Sequence, residues 1–255
     1  MLSTVHCEPV NCVDEIVART CVIIPALNEE AALPRVLHEL RELGLERIRV
    51  VDNGSRDRTA QVAAQLGADV LSEPHRGYGA ACWCGIADLA DFDDDVEWVL
   101  FCDADGSDDL SELQWLFAQA ALGADLVLGN RRSLPDNRAA MTPQQNFGNA
   151  LATALIALGW GHRYHDLGPL RLIRRAALDR IAMRDRGFGW TVEMQVRAVE
   201  EKLRIAEVPV RYRRRQGGRS KISGTISGTL RAGSVILSTI GRLWLRRLLK
   251  GRGAE

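Results

Sequence analysis

Short unbroken apolar runs recur through the first half of the chain, and each is followed by a stretch with helical spacing. Thr20–Pro25 (T-C-V-I-I-P) and Trp98–Cys102 read as buried strands, and Arg47–Val51, Asp69–Leu71 and Asp125–Leu128 as further strands. Between the first two, Leu33, Val36, Leu37, Leu40 and Leu43 keep a helical period that Gly44 stops. Asn28 is placed to cap that helix, with Glu29 and Glu30 in its first turn. Further helices are expected from near Asp57, over Ala80–Leu89 and over Leu110–Leu122. Regular alternation of strand and helix predicts an α/β fold whose central sheet is largely parallel and covered by helices on both faces. Met1–Arg19 contains Pro9 and Asn11, has no clear period, and reads as a loosely attached leader.

The second half is less regular. A helix is predicted over Phe147–Leu158, then a loop and strand from Asp166 to Arg171, and a helix that opens near Glu193. Arg204–Arg211 (R-I-A-E-V-P-V-R) reads as another strand, followed by a basic, glycine-containing loop over 213–221. From Ile222 to Gly253, Leu, Ile and Trp are interleaved with Arg231, Arg242, Arg246, Arg247 and Lys250. No uncharged run there approaches the ~18 apolar residues of a spanning helix. The tail therefore reads as a basic amphipathic helix lying on an anionic membrane surface, with a core-packing or dimer helix as the alternative.

Charge sharpens this picture. The formal net charge is zero, yet residues 201–255 hold 14 Lys/Arg against 3 acids, while Asp91–Glu112 is dense in acids. A basic final quarter points to an anionic partner. Nucleic acid is disfavoured, because the cations lack interleaved aromatics and no recognition motif is present. Six cysteines stand at 7, 12, 21, 82, 84 and 102; Cys82-x-Cys84 has no second pair at zinc spacing. No basic-then-apolar signal opens the chain, so a reducing cytoplasm is expected.

The candidate chemistry lies at strand ends. In Val96–Asp109 an apolar run stops at Asp103 and Asp105, with Gly106 directly behind. Ligands of open α/β sheets bind just beyond the carboxyl ends of the strands. Neighbouring carboxylates repel, and a divalent cation is a common reason to keep them together. Oxygen-only ligands favour Mg2+ or Mn2+, which commonly accompany a phosphate-bearing substrate. A calcium loop counted from Asp103 fails, since its sixth and twelfth places hold Asp108 and Gln114. The string also resembles the first motif of haloacid-dehalogenase-type phosphatases, with Asp103 as nucleophile and Asp105 as acid/base. That reading needs a further acidic pair, and none convincing follows Asp109. The other strand ends carry Pro25/Asn28, Asp52/Gly54, Arg76/Gly77 and Arg131, which parallel strands would bring to one edge. No G-x-G-x-x-G follows the first strand, so a dinucleotide site is not expected.

Five motifs occur in order: I-I-P-A-L-N-E-E (23–30), V-V-D-N-G-S-R-D-x-T (50–59), H-R-G-Y-G-A-A (75–81), D-A-D-G-S-D-D (103–109) and G-G-R-S-K-I-S-G-T (217–225). Together they resemble glycosyltransferase family 2, in the branch of dolichyl- and polyprenyl-phosphate mannose or glucose synthases. The resemblance spans roughly Arg19 to Leu237. It implies a GT-A-type fold, a nucleoside-diphosphate sugar donor, a divalent cation and inversion at the anomeric carbon. On this sequence it assigns Pro25, Ala26, Asn28 and Glu29 to nucleotide binding, and Asp52 with Gly54 to base or ribose. Arg76 and Gly77 flank the nucleotide. Asp103 and Ala104 lie near ribose and metal, and Asp105 is the direct metal ligand.

The acceptor side is implied more loosely. Gly187–Met194 resembles the family's acceptor segment, and Arg219, Ser220 and Lys221 its diphosphate or acceptor-phosphate clamp, with Arg131 as a second phosphate candidate. A lipid-phosphate acceptor needs no base, whereas a hydroxyl acceptor (a glycan, glycolipid or small hydroxy acid) requires Glu193 or Asp166 to take its proton. Glu193 is also explained by its place in a helix's first turn. The expected layout is a leader over 1–19, a glycosyltransferase domain over 20–222 divided near 131 into nucleotide-sugar and acceptor halves, and an amphipathic helix over 223–255. A peripheral place at the cytoplasmic membrane face follows from the acceptor, and a homo-oligomer is compatible with it.

Overall fold

The computed structural model describes residues 9–92, 95–213 and 226–252. In chain order the elements are α1 (Pro9–Ala18), β1 (Thr20–Ala26), α2 (Leu33–Glu42), β2 (Arg47–Asp52), α3 (Thr59–Gln65), β3 (Asp69–Ser72), α4 (Tyr78–Phe92) and β4 (Trp98–Phe101). A 3-10 turn (Leu110–Glu112) precedes α5 (Leu113–Ala121). Then come β5 (Leu126–Asn130), α6 (Asn137–Ala140), α7 (Pro143–Trp160), β6 (Arg171–Arg174), α8 (Arg175–Ile181), α9 (Trp190–Glu200), β7 (Ile205–Pro209) and α10 (Ile226–Arg252).

The seven strands form one sheet in the order β3-β2-β1-β4-β6-β5-β7. The pairs β3–β2, β2–β1, β1–β4 and β5–β7 are parallel; β6 runs antiparallel between β4 and β5. Two antiparallel pairings in succession restore direction, so the carboxyl ends of β1, β2, β4 and β5 share one edge. Alternate residues of each strand face opposite layers. Val22 and Ile24 join the core beneath α2 and α5, while Cys21 and Ile23 join the core beneath α4, α7 and α9. Both faces are covered, which is why these strands read as unbroken apolar runs. On α2, Leu33, Val36, Leu37 and Leu40 are buried, each contributing about 1.5–3 kcal/mol of burial.

Four local expectations change, the first being that the strand expected within Asp166–Arg171 begins only at Arg171 and runs to Arg174 as β6. Pro9–Ala18, expected within a loose leader, is a helix whose Val13, Ile16 and Val17 pack against the core. Asn28 does not cap α2: it has φ 51°, in the left-handed region that Asn tolerates, and α2 starts only at Leu33. The predicted strand 204–211 is shorter, because β7 ends at Pro209. The amphipathic tail is helical over Ile226–Arg252, and its Thr239, Ile240 and Leu243 are buried.

Candidate functional site

The β1 and β2 loops are stitched together at the shared edge. Asn28 N donates to Ser55 Oγ (2.8 Å), Arg56 N donates to Asn28 Oδ1 (2.6 Å), and Glu29 N donates to Thr59 Oγ1 (2.8 Å). Asn28 and Glu29 thus shape the loop that follows Pro25 and Ala26. Asp52, at the tip of β2, accepts from Ser55 N at 3.3 Å. The buried Asn53 ties in the third loop: its Nδ2 donates to the Glu73 and His75 carbonyls (2.9 Å each), and its Oδ1 accepts from Gly77 N (2.8 Å). Arg76 Nη2 then reaches the Gly54 carbonyl at 3.2 Å, and Gly54 needs its φ of 80° to turn there. Asp52, Gly54, Arg76 and Gly77 are therefore neighbours, as the strand ends predicted. Asn53, which holds them together, was legible only as part of a turn.

β4 delivers the acids. Phe101 pairs with Ile23 of β1, and Asp103 and Asp105 follow just past the strand end. Gly106, at φ 67°, turns the chain back so that Asp105 Oδ1 accepts from Ser107 N (2.9 Å) and Ser107 Oγ (2.6 Å). Asp105 and Ala104 are buried, and Asp103 is half-buried. Asp108 is 5% exposed, and neither of its carboxylate oxygens takes a hydrogen bond. Burial pushes its pKa up to about 7; Asp105 and Asp166 add to the rise and Arg131 opposes it. The next residue, Asp109, caps the 3-10 turn through Ser111 N and pairs with Arg213 at 2.6 Å.

The segment after β7 closes over this loop. Asp108 bridges Tyr212, and Arg213 N donates to the Ser107 carbonyl at 2.7 Å. Arg219, Ser220 and Lys221 lie outside the described residues.

Arg131 is buried and fully engaged. Its Nε donates to Asp166 Oδ2 (2.8 Å), its Nη2 to Asp166 Oδ1 (3.0 Å), and its guanidinium stacks 5.1 Å from the Tyr212 ring centre. Although burial pushes the Asp166 carboxyl up, Arg131 and two backbone N–H groups hold it below the usual carboxylate range. Asp166 is thus a weak candidate for a base. Arg132 instead lines a groove of about 860 Å3 between α7 and the ends of β5 and β7, together with Arg163, His165 and Glu207. Glu193 is tied elsewhere: its Oε2 accepts from Arg184 N (2.8 Å) and Asp185 N (2.6 Å), in a small cleft against Thr239 and Arg242 of α10.

The sequence also hid Arg171. It is fully buried at the start of β6, donating to the Gly168 and Thr191 carbonyls at 2.8 Å each. Burial pushes its pKa down to about 10.

The acidic tip offers oxygen ligands only, the donor set of Mg2+ and Mn2+. The two buried oxygens of Asp108 take no hydrogen bond and add to this oxygen donor set, so the residues fit such a group. Among the described residues no three His, Cys, Asp or Glu side chains stand close enough to hold a metal by themselves. A cation at Asp103 and Asp105 would complete its shell with substrate oxygens and water, as Mg2+ usually does.

Comparison with known proteins gives a consistent result. The model of the glycosyl transferase family 2 domain matches residues 21–182. An uncharacterized glycosyltransferase of Mycobacterium tuberculosis is 38% identical over 215 residues, covering 82% of this chain and 92% of the relative. An undecaprenyl-phosphate mannosyltransferase of Micrococcus luteus is 34% identical over 227 residues, covering 82% and 90%. Among solved structures, glucosyl-3-phosphoglycerate synthase from M. tuberculosis, in complex with Mn2+, uridine-diphosphate-glucose and phosphoglyceric acid, superimposes with a TM-score of 0.68. It is 20% identical and the match covers 94% of this chain and 86% of that one. The likeness to the synthase is one of fold, and the helix-covered sheet is of the GT-A type. The family match also removes the phosphatase reading, which accounted only for Asp103–Ser107.

Proposed function

The chain belongs to glycosyltransferase family 2, and from that premise we propose that it moves a hexose, with inversion, from a nucleoside-diphosphate sugar to a polyprenyl phosphate. The observation that carries this reading is the meeting of Asp52, Arg76, Asp103 and Asp105 at one sheet edge, with the unpartnered carboxylate of Asp108 behind them. Asp52 and the Gly54 backbone receive base or ribose, with Arg76 alongside. Asp103 and Asp105 hold Mg2+ or Mn2+. When bound, that cation neutralises the diphosphate and stabilises charge on the departing oxygen. Arg219, Ser220 and Lys221 are the proposed partners of the phosphates. The Mn2+ and uridine-diphosphate-glucose of the structural neighbour, and the acceptor in the name of the Micrococcus relative, support donor, metal and acceptor classes in turn.

A phosphate acceptor is already an anion and needs no base. That suits a site where Asp166 is locked by Arg131 and Glu193 by backbone N–H groups. Because Arg131 is so engaged, Arg132 and the 219–221 loop are the better candidates for the acceptor phosphate. A hydroxyl acceptor keeps one supporting observation: the structural neighbour is solved in complex with phosphoglyceric acid, a small hydroxy acid.

Peripheral membrane attachment, at the cytoplasmic face, is part of the same proposal. Leu237, Leu245, Leu248 and Leu249 of α10 are exposed beside Arg242, Arg246 and Arg247. Among the described residues no helix is long and apolar enough to cross a membrane. The test is incubation with a panel of nucleotide sugars, Mg2+ or Mn2+, and either polyprenyl phosphate or hydroxyl acceptors. A glycosylated lipid phosphate identified by mass supports the reading; transfer to hydroxyl acceptors alone replaces it with the second.

A further inference from the structure

Glu193 is 3% exposed; its Oε2 accepts both Arg184 N and Asp185 N, while its Oε1 lies 3.9 Å from Arg197 Nε. Those two N–H groups open the segment 184–187, which curls tightly because Asp185 Oδ1 also accepts from Gly187 N at 2.7 Å. The segment spends its own carbonyls on another element. Arg186 O accepts from Ala80 N (2.8 Å) and Gly187 O from Gly79 N (3.1 Å), two of the N–H groups that the first turn of α4 leaves without an intrahelical partner. The Arg186 guanidinium lies 4.7 Å from the Trp83 ring centre, a third hold on α4.

The fit between the segment and α4 depends on missing side chains. A Cβ on Gly77 would collide with the Arg186 carbonyl, and one on Gly79 would lie 2.8 Å from the Asp185 carbonyl oxygen. On its other side Gly77 is held by Asn53 Oδ1, and Arg76 by the Gly54 carbonyl. The loop carrying Arg76 is therefore clasped between the β2 tip and the segment that Glu193 fixes.

We propose that Glu193 is a positioning residue for the donor side: it fixes 184–187, on which Arg76–Gly79 is seated, and so keeps Arg76 beside Asp52. The inference rests on the reading of that loop as part of the donor site. It also replaces the general-base role that the sequence allowed for Glu193.

The two roles separate on substitution. In Glu193→Gln an amide oxygen can take the place of Oε2 and accept both N–H groups, but a glutamine cannot serve as the base. Positioning predicts kcat, donor KM and nucleotide Kd within about threefold of wild type for Glu193→Gln. For Glu193→Ala, which strands two buried donors, it predicts donor KM and Kd raised about tenfold, with a smaller change in kcat. Kd is measured calorimetrically with Mn2+ and whichever of uridine or guanosine diphosphate the wild type binds. A Glu193→Gln protein that binds nucleotide normally but has lost kcat overturns the proposal, and it does so even if Glu193→Ala fails to fold. Gly77→Ala attacks the same contact from the donor side and should raise Kd similarly. If Gly77→Ala leaves Kd unchanged, the donor reading of the loop fails. If Gly77→Ala weakens binding and a folded Glu193→Ala does not, the link through 184–187 fails.

Discussion

Arg131 and Asp166 form a two-point ion pair, Nε to Oδ2 at 2.8 Å and Nη2 to Oδ1 at 3.0 Å, buried at the tip of β5. The same Arg131 lowers the pKa of the unpartnered Asp108, so pair and acid form one electrostatic unit behind Asp105. Removing either partner leaves an uncompensated buried charge. Arg131→Ala and Asp166→Ala are each expected to cost about 3–5 kcal/mol in urea unfolding, and the double variant clearly less than their sum.

Asp108 gives a pH signature. Its folded pKa of about 7 lies above the ~3.9 of an unfolded Asp, so the native state keeps a proton that the unfolded chain loses. Wild-type stability from this group is greatest below the unfolded value and falls as pH rises from about 4 to about 7. Asp108→Asn, neutral throughout, should match wild type near pH 4 and exceed it increasingly up to pH 8, by at most about 4 kcal/mol. Metal-free melting curves across that range check this; parallel curves would show that Asp108 does not titrate as a buried acid.

Asn53 makes three hydrogen bonds that moor the loop of Arg76 to β2. Asn53→Ala should lower stability by about 1–3 kcal/mol and raise donor KM more than it lowers kcat. An unchanged donor KM would mean that the loop is placed without it.

On α10 the inward and outward leucines should behave oppositely. Leu243 is 3% exposed in the core, and Leu243→Ala is expected to cost about 2–5 kcal/mol. Leu245 and Leu248 are exposed, and changing both to Ser should leave thermal unfolding unchanged while weakening flotation with anionic vesicles. Equal flotation of wild type and the double variant would remove membrane attachment through this face.

What the sequence revealed follows from how local each cause is. β1 and β4 were legible because burial on both faces leaves an unbroken apolar run, and the acids after Phe101 were legible because they end one. Arg171 defeated that logic: a guanidinium satisfied by the Gly168 and Thr191 carbonyls is buried in a four-residue strand that no apolar run announces. Asn28 looked like a helix cap because its real partners, Ser55 and Arg56, lie across the sheet edge. Asp108 read as one more acid in a dense run, and the Tyr212 segment that bridges it lies 104 residues later in the chain. Glu193 suited a helix's first turn on sequence, yet the N–H groups it accepts lie upstream at Arg184 and Asp185.

On the proposed mechanism Asp103 and Asp105 hold a divalent cation against the diphosphate of the donor. Crystals soaked with Mn2+ and a nucleoside diphosphate test it most directly through the anomalous signal of manganese. The expected result is a peak joined to the Asp105 carboxylate and to the diphosphate, absent in Asp105→Ala. Nucleotide and manganese density away from β4, with both acids untouched, would contradict the account.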